Sequence, residues 1–145
     1  PGAEAGVTRF KPTLERSSRH FPVICSTHGY DDRIRTVRAV KRAGMEACCG
    51  GILGMGESLE DRVALAVELR ALEVESIPVN FLDPRPGTPL GETPRLSPGD
   101  CLRALAMFRF VNPSRDIRVA GGREVNLRSL QPPAPFPANS ICGTG

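Results

Sequence analysis

"MEACCGGILGMGESLEDRV", residues 45–63, contains an apolar run, a glycine-rich turn and the start of a helical pattern in direct succession. We predict that residues 45–53 form a buried strand, because the run is mostly apolar and ends in turn residues. Ser58, with Asp61 three residues later, has the spacing of a capping box and predicts a helix. The glycines within 50–56 allow the backbone to approach a ligand closely. The stretch therefore predicts a strand, a turn and a helix, with a candidate ligand site at the turn.

The alternation of strand and helix continues on both sides of this unit. Strand-like apolar runs occupy 6–14, 75–82, 117–120 and 139–142, and helical patterns occupy 33–43 and 97–111. Ser26–Thr27 and Asp31–Asp32 are candidate caps of the first of these helices, and Ser97–Pro98 marks the start of the second. We expect a proline-rich loop over 83–98. Such alternation indicates a parallel sheet, and a whole (β/α)8 barrel needs about 250 residues. We therefore predict an α/β fold: a partial (β/α)8 TIM-type barrel of about four to five units with parallel strands. No linker divides residues 1–145 into two domains.

The helix that follows Ser58 should run through Leu72 and bury one face. The residues expected on that face are Val63, Leu65, Ala66, Leu69 and Leu72. The first strand-like run contains Pro12, which cannot donate a hydrogen bond to a sheet. We therefore expect that strand to be short or irregular.

Composition and charge limit the possible functions. The chain is 40% hydrophobic and 24% charged with a formal net charge of +3, as is ordinary for a globular domain. Its arginines form no dense basic cluster, and no apolar run approaches the roughly 18 residues of a membrane-spanning helix. The five cysteines lack the spacing of a disulfide framework, which indicates a reducing compartment. We expect a cytoplasmic protein with no nucleic-acid or membrane partner.

The candidate site residues lie at or near the predicted strands. In parallel barrels the ligand site is at the carboxyl ends of the strands, so we expect Cys48, the turn 50–56, Asn80 and Arg118 to converge. Each also has a structural explanation: a small buried thiol, a strand-to-helix turn, an amide satisfied by backbone, and an arginine paired with a carboxylate such as Glu124. Residues alone leave these alternatives open. Cys25, Cys101 and Cys142 have no partners at metal spacing, and we predict structural roles for them.

Three phrases of the chain together resemble the carboxyl-terminal half of the biotin synthases, which are radical S-adenosylmethionine enzymes. They are CCGGILGMGE (48–57), SIPVNFLDPRPGTPL (76–90) and IRVAGGREVNLRSLQ (117–131). The resemblance implies insertion of sulfur into dethiobiotin after hydrogen abstraction by a 5′-deoxyadenosyl radical. A bridging sulfide of a [2Fe–2S] cluster would be the sulfur donor, and the complete enzyme would be a homodimer.

The resemblance also implies roles for individual residues. Cys48 corresponds to a ligand of the [2Fe–2S] cluster, and Arg118 to the arginine that ligates the same cluster. Cys49 takes a small-residue position and has no implied role. Asn80 corresponds to a residue that hydrogen-bonds the ureido ring of dethiobiotin.

The S-adenosylmethionine site is implied by two segments. Gly51, Ile52, Gly54 and Glu57 match the family segment that lies against the adenine, and Glu15 matches the acid that accepts from the ribose hydroxyls. The segment around Glu15 departs from the family. It reads FKPTLERS (10–17), where the family typically has Tyr-Asn-His-Asn-Leu-Glu/Asp-Thr-Ser, and both asparagines are replaced.

The family's Cys-x-x-x-Cys-x-x-Cys motif, which binds the [4Fe–4S] cluster that cleaves S-adenosylmethionine, is not in these 145 residues. Two further cysteine ligands of the [2Fe–2S] cluster are also missing. We therefore expect the chain alone to be inactive and the [4Fe–4S] cluster to occur only in a full-length enzyme. Both ends, Pro1 and Gly145, look cut. The alternatives are a non-catalytic remnant that pairs with another chain, or a related radical enzyme of the thiamin-pathway lyase or hydrogenase maturase type.

Overall fold

A computed structural model describes residues 5–12, 14–18 and 29–142 of the chain. Within these ranges the strands are β1 Arg9–Phe10, β2 Glu46–Ala47, β3 Gly51–Leu53, β4 Ser76–Phe81, β5 Asp116–Val119 and β6 Ser140–Ile141. The helices are α1 Tyr30–Arg42, α2 Leu59–Ala71, α3 Pro98–Val111 and α4 Arg123–Leu127, and a 3-10 turn follows at Arg128–Leu130. None of the described helices is long and apolar enough to span a membrane.

All strand pairs of the described sheet are parallel. β1 pairs with β2, and β3, β4, β5 and β6 are neighbours in that order. Two isolated bridges, Glu15 to Gly51 and Cys48 to Ser76, connect the two groups of strands. Residues 46–53 therefore lie between the first strand and β4, as a central strand of a barrel does.

The predicted strand 45–53 is interrupted at Cys48–Gly50. The register of Cys48 with Ser76 and of Gly51 with Val79 places Pro78 of β4 opposite the interruption, and proline has no amide hydrogen to donate to the ladder. The backbones also approach closely there, because a Cβ built on Gly50 would lie 1.9 Å from the Pro78 carbonyl oxygen. Glycine at this position and proline opposite explain why the strand divides in two.

The first strand, predicted over 6–14, is reduced to Arg9–Phe10. The chain from Arg9 to Glu15 also has one residue more than the part of the neighbouring strand that it pairs with. Arg9 pairs with Glu46, and Glu15 pairs with Gly51, so six steps on one strand match five on its neighbour. Pro12 lies within this stretch and has no amide hydrogen to donate to the ladder, in agreement with the irregular pairing.

The sheet has an outer face packed on helices and an inner face. The outer-facing side chains form the hydrophobic core with α2 and α3; from the strands and their continuations they are Ala47, Cys49, Leu53, Ile77, Val79, Phe81, Ile117 and Val119. Side chains alternate along a strand, so the residues between these face the other way. Cys48, Ser76, Asn80, Asp116 and Arg118 thus share the inner face.

The caps of α2 and α3 agree with the sequence. Ser58 Oγ accepts from the Asp61 amide at 3.2 Å, Asp61 Oδ2 accepts from the Ser58 amide at 3.0 Å, and Ser97 caps α3. On α2, Leu65, Ala66 and Leu69 are buried as predicted, and Leu72 is half-buried just past its end. Val63 is 44% exposed, so its predicted burial is wrong. It lies four residues from both Leu59 and Val67, on the outward side of the helix.

Two helices differ from the prediction. α1 begins three residues earlier than expected, at Tyr30, with Gly29 as its N-cap and the Gly29 amide donating to Asp32 Oδ2 at 3.2 Å. The proposed cap at Ser26–Thr27 lies outside the described residues. The short helix α4 was not predicted, because five residues carry no period. It is held by Asn126, whose Nδ2 donates to the Leu82 carbonyl at 2.9 Å.

Candidate functional site

The strand register brings the predicted cluster residues to one face of the sheet. Cys48 is opposite Ser76 of β4, and Ser76 is opposite Asp116 of β5. Arg118, two residues further along β5, has the same orientation as Asp116 and pairs with Ser140 of β6. Cys48 and Arg118 therefore lie on the inner face with β4 between them.

Arg118 is oriented by a carboxylate from its own strand. Its Nε donates to Asp116 Oδ2 at 2.7 Å, and Ser76 Oγ donates to the same oxygen at 3.2 Å. The hydrogen bond to Asp116 and the charge of its carboxylate raise the pKa of Arg118 above its ordinary value, and negative charge on the sulfurs of Cys48 and Cys142 would act in the same direction. Glu124, the partner suggested by the sequence, lies instead near Arg123, with Nη2 and Oε1 3.6 Å apart.

The donor set around Arg118 fits part of a metal-cluster site. Cys48 is buried, and its thiolate is the ligand type that holds iron–sulfur clusters. With Nε bonded to Asp116, the terminal nitrogens of Arg118 make no hydrogen bond within the described residues. Ser140, in register with Arg118, has a buried Oγ without a partner there. In the described part of the chain, no three Cys, His, Asp or Glu side chains come together as a metal site. Within the described residues, Cys48 and Arg118 are therefore two candidate ligands of a cluster site that would need further ligands.

Cys142 also lies near Arg118, although the sequence predicted only a structural role for it. It follows β6, is half-buried, and its amide donates to the Val119 carbonyl at 2.7 Å. It is close enough to influence the pKa of Arg118. Side chains alternate along a strand, so Cys142, two residues after Ser140, lies on the same inner face as Ser140. The sequence could have predicted this position only with knowledge of how β6 pairs with β5.

Asn80 connects three strands through its amide. Its Oδ1 accepts from the Gly121 amide at 3.0 Å, and its Nδ2 donates to the Gly51 carbonyl at 3.2 Å. The side chain is half-buried and in register with Ile52. Each amide atom retains one further donor or lone pair. Asn80 is thus both satisfied by backbone and able to bind a polar ligand.

The glycine turn is held from within by Glu57. Its Oε1 accepts from the Gly54 amide at 2.8 Å, and its Oε2 accepts from the Met55 amide at 2.7 Å. Arg62 Nε also donates to Oε1 at 2.8 Å, and the Glu57 side chain is only 6% exposed. Gly54 has φ +92°, which favours glycine. Glu57 therefore shapes the turn, and its carboxylate oxygens already have donors.

Glu15 is fixed beside the glycine-rich strand. Its amide donates to the Gly50 carbonyl, and its carbonyl accepts from the Ile52 amide, both at 3.0 Å. Its φ of +69° is in the left-handed region, which is uncommon for a residue with a side chain and frequent at functional sites. Glu15 is therefore paired with Gly51, and the next residue, Ile52, is paired with Asn80.

A cavity of about 540 Å³ adjoins the carboxyl end of β4. It is formed by the proline-rich loop that follows Asn80; its lining residues are Leu82, Asp83, Pro84, Arg85, Thr88, Pro89 and Leu90. Asp83 pairs with Arg85 at 2.6 Å and with Arg95 at 3.0 Å, which connects both ends of the loop. The sequence predicted this segment as a loop but gave it no part in the site.

The chain is similar to known proteins over nearly its whole length. The Biotin and Thiamin Synthesis associated domain matches residues 78–144. Biotin synthase of Salinibacter ruber is 54% identical over 143 residues, 99% of this chain and 40% of that protein. Those of Bacillus cytotoxicus and Rhodopirellula baltica are each 55% identical, over 96% and 94% of this chain and 42% and 38% of their own lengths.

A solved structure supports the fold. The crystal structure of methylornithine synthase superposes with a TM-score of 0.79 at 20% identity, over 96% of this chain and 41% of that one. The partial barrel of parallel strands predicted from the sequence is thereby confirmed. The chain spans about 40% of the length of the Salinibacter ruber relative. It is a homologue of the carboxyl-terminal part of the biotin synthases.

Proposed function

We propose that this chain supplies part of the cluster, substrate and nucleoside sites of a biotin synthase that inserts sulfur into dethiobiotin. The observation that carries the proposal is the placement of Cys48 and Arg118 on one face of the sheet, within electrostatic reach of each other. The identity of 54% over 99% of the chain supports the choice of this enzyme class.

Cys48 and Arg118 would be two of the ligands of a [2Fe–2S] cluster. When bound, that cluster supplies the sulfur atom. The chain's own contribution is to orient Arg118 through Asp116 and to keep Cys48 buried, because partners beyond the first ligands fix their geometry. The remaining N–H and lone pair of Asn80 suit the ureido ring of dethiobiotin, which offers a carbonyl and N–H groups.

The nucleoside of S-adenosylmethionine would lie along the edge formed by Glu15, Gly51, Ile52 and Gly54. The Glu15 carboxylate would accept from the ribose hydroxyls, and Ile52, on the inner face of the sheet, would supply the apolar contact to the adenine. Glu57 would act by holding the turn, since both its oxygens accept from turn amides. A [4Fe–4S] cluster would be bound by residues outside these 145.

Two alternatives differ in class. A lyase of the thiamin pathway or a hydrogenase maturase is disfavoured because the relatives from Salinibacter ruber, Bacillus cytotoxicus and Rhodopirellula baltica are named biotin synthases. A non-catalytic remnant is favoured by the changed segment 10–17. A cytoplasmic homodimer is part of the biotin synthase proposal.

A chimera tests the proposal. In the Salinibacter ruber biotin synthase, the region that matches this chain is replaced by residues 3–142, and biotin formation from dethiobiotin is measured alongside the visible absorption of the cluster. We expect a loaded, active chimera, and loss of the [2Fe–2S] absorption in Cys48→Ala. The matched control is Cys101→Ala, a buried thiol on α3 away from the inner face. A folded chimera that loads its cluster but forms no biotin would favour the remnant.

The isolated chain provides a second measurement. Purified and incubated with S-adenosylmethionine and a strong reductant, it should form no 5′-deoxyadenosine, because it has no [4Fe–4S] motif. Product formation at a rate above that of the reductant alone would contradict the assignment of the radical chemistry to residues outside the chain.

A further inference from the structure

We propose that Arg16 is a positioning residue for Glu15, which it connects to the glycine turn through Met55. This inference rests on the proposed function, because it concerns the nucleoside site assigned above. Arg16 stands where the family phrase has threonine, so the connection is a property of this chain. The resemblance assigns it no role.

The backbone of Glu15 is fixed independently of its side chain. The two hydrogen bonds to Gly50 and Ile52 hold the peptide on both sides of the residue. The positive φ of Glu15 then turns the chain away from the sheet, and the following residues are buried: Arg16 is 8% exposed and Ser17 is 2% exposed. Ser17 Oγ donates to Asp61 Oδ1 at 3.2 Å, which attaches this segment to the first turn of α2.

The buried guanidinium of Arg16 contacts both parts of the candidate nucleoside site. Its Nη1 lies 3.6 Å from Glu15 Oε2, an ion pair between adjacent residues. Its Nη2 lies 3.2 Å from the Met55 sulfur, although the two residues are 39 positions apart. The Met55 amide is in turn held by Glu57. One planar group thus contacts both the Glu15 carboxylate and the side chain of Met55, a residue of the turn.

The chemistry of arginine explains what this contact does. Its guanidinium is permanently charged and planar, so it limits the orientation of a neighbouring carboxylate more than a hydroxyl does. A threonine side chain is too short to contact both Glu15 and Met55. We infer that Arg16 holds the Glu15 carboxylate at one angle relative to the turn, so that it accepts from the ribose hydroxyls at a low entropic cost.

The test compares two ligands on the 145-residue chain. Adenosine and 2′,3′-dideoxyadenosine share the base, but only adenosine has ribose hydroxyls. Their dissociation constants are measured by NMR titration for the unmodified chain, Arg16→Met, Arg16→Lys and Glu15→Gln. Methionine keeps an unbranched apolar stem beside Met55, and lysine keeps the charge without the fork. Far-UV circular dichroism and thermal unfolding verify that each variant folds.

We expect Arg16→Met and Glu15→Gln to weaken adenosine binding by roughly five- to tenfold, the effect of one misplaced hydrogen bond, and to leave dideoxyadenosine binding unchanged. The dissociation constant of Arg16→Lys for adenosine should lie between those of the unmodified chain and Arg16→Met. If Arg16→Met binds adenosine as the unmodified chain does, the inference is wrong and the nucleoside site stands. Equal weakening for both ligands would mean that Arg16 only supports the fold, which also overturns the inference. If the unmodified chain binds neither ligand, the nucleoside site proposed here is overturned as well.

Discussion

Arg118 Nε and Asp116 Oδ2 are 2.7 Å apart, on residues that are two positions apart in β5 and face the same side of the sheet. Ser76 donates to the same carboxylate oxygen from the neighbouring strand. Because the carboxylate accepts from Nε and not from the terminal nitrogens, it fixes the guanidinium plane and leaves the far edge for another partner. The guanidinium of Arg118 is thereby oriented by contacts within the chain itself.

Asp116→Asn should release Arg118 from this orientation. The amide oxygen still accepts, but the charge that raises the pKa of Arg118 is lost. In ¹⁵N-labelled chain, the Arg118 Nε–H signal should exchange faster with water than in the unmodified protein. The two side chains are 30% and 33% exposed, so the loss of unfolding free energy should be below about 1 kcal/mol. Asp100→Asn, which removes the exposed partner of Arg103, is the control and should leave the Arg118 signal unchanged.

Gly122→Ala should destabilise the chain strongly. Gly122 has φ +75°, and an added Cβ would lie 1.8 Å from the Phe81 carbonyl oxygen, which belongs to a central strand and cannot move away. We expect a loss of at least about 3 kcal/mol in urea-induced unfolding. Gly56 has φ +90° but no atom within 4 Å of an added Cβ, so Gly56→Ala should cost only about 1–2 kcal/mol. Similar losses in the two variants would show that backbone conformation, and not the close approach, sets the cost.

The elements with a clear period or cap were predictable from the sequence, and those set by contacts across the sheet were not. The capping box of Ser58 and the Ser97–Pro98 start gave α2 and α3 almost to the residue. The division of the central strand depends on Pro78 facing Gly50, a relationship that requires the register.

The same holds for the site. Cys48, Asn80 and Arg118 were predicted as site residues, and the structure places them on one face. Their roles stay predictions. The partners that orient them, Asp116 and Gly121, were not predicted, because neither residue type signals such a role without knowing which strands are neighbours.

Glu57→Gln should loosen the glycine turn. An amide keeps one acceptor oxygen but directs its NH2 group at a backbone donor, and it leaves the largely buried Arg62 without a carboxylate. Removing one partner of a buried charged pair is costly, so we expect a loss of about 3 kcal/mol in unfolding free energy. Glu46→Gln, in an exposed pair with Arg9, should cost less than about 0.5 kcal/mol. A loss at Glu57 as small as that at Glu46 would contradict the internal role of its carboxylate.

Glu75→Gln should change how stability depends on pH. Burial opposes ionisation of Glu75, but hydrogen bonds from Lys41 and from the Ala47 amide outweigh it and hold its pKa below the usual value. A lowered pKa in the folded state gives stability that is present above the unfolded pKa, about 4.3, and is lost as pH falls through the folded value. The variant should therefore be less stable by about 1 kcal/mol at pH 7, and the difference should shrink toward pH 3.

Urea unfolding at several pH values between these limits measures the difference. Glu92→Gln, an exposed loop residue, serves as the control and should track the unmodified chain throughout. A constant gap between Glu75→Gln and the unmodified chain at every pH would mean that the carboxylate contributes through packing and not through its charge.

The cysteines should differ widely in their reaction with iodoacetamide. Burial raises the pKa of Cys49 to about 12 and that of Cys101 to about 11, and both side chains are fully buried. At pH 8 a thiol of pKa 12 is ionised to only about one part in ten thousand, and the thiolate is the nucleophile. Of the four cysteines in the described ranges, Cys142 is the half-buried one, at the end of the sheet, and it should be labelled before the other three. Peptide mass mapping after short pulses separates the sites, and in urea all of them should react at similar rates. Native labelling of Cys101 as fast as that of Cys142 would show that α3 opens readily from the sheet, against the buried core described here.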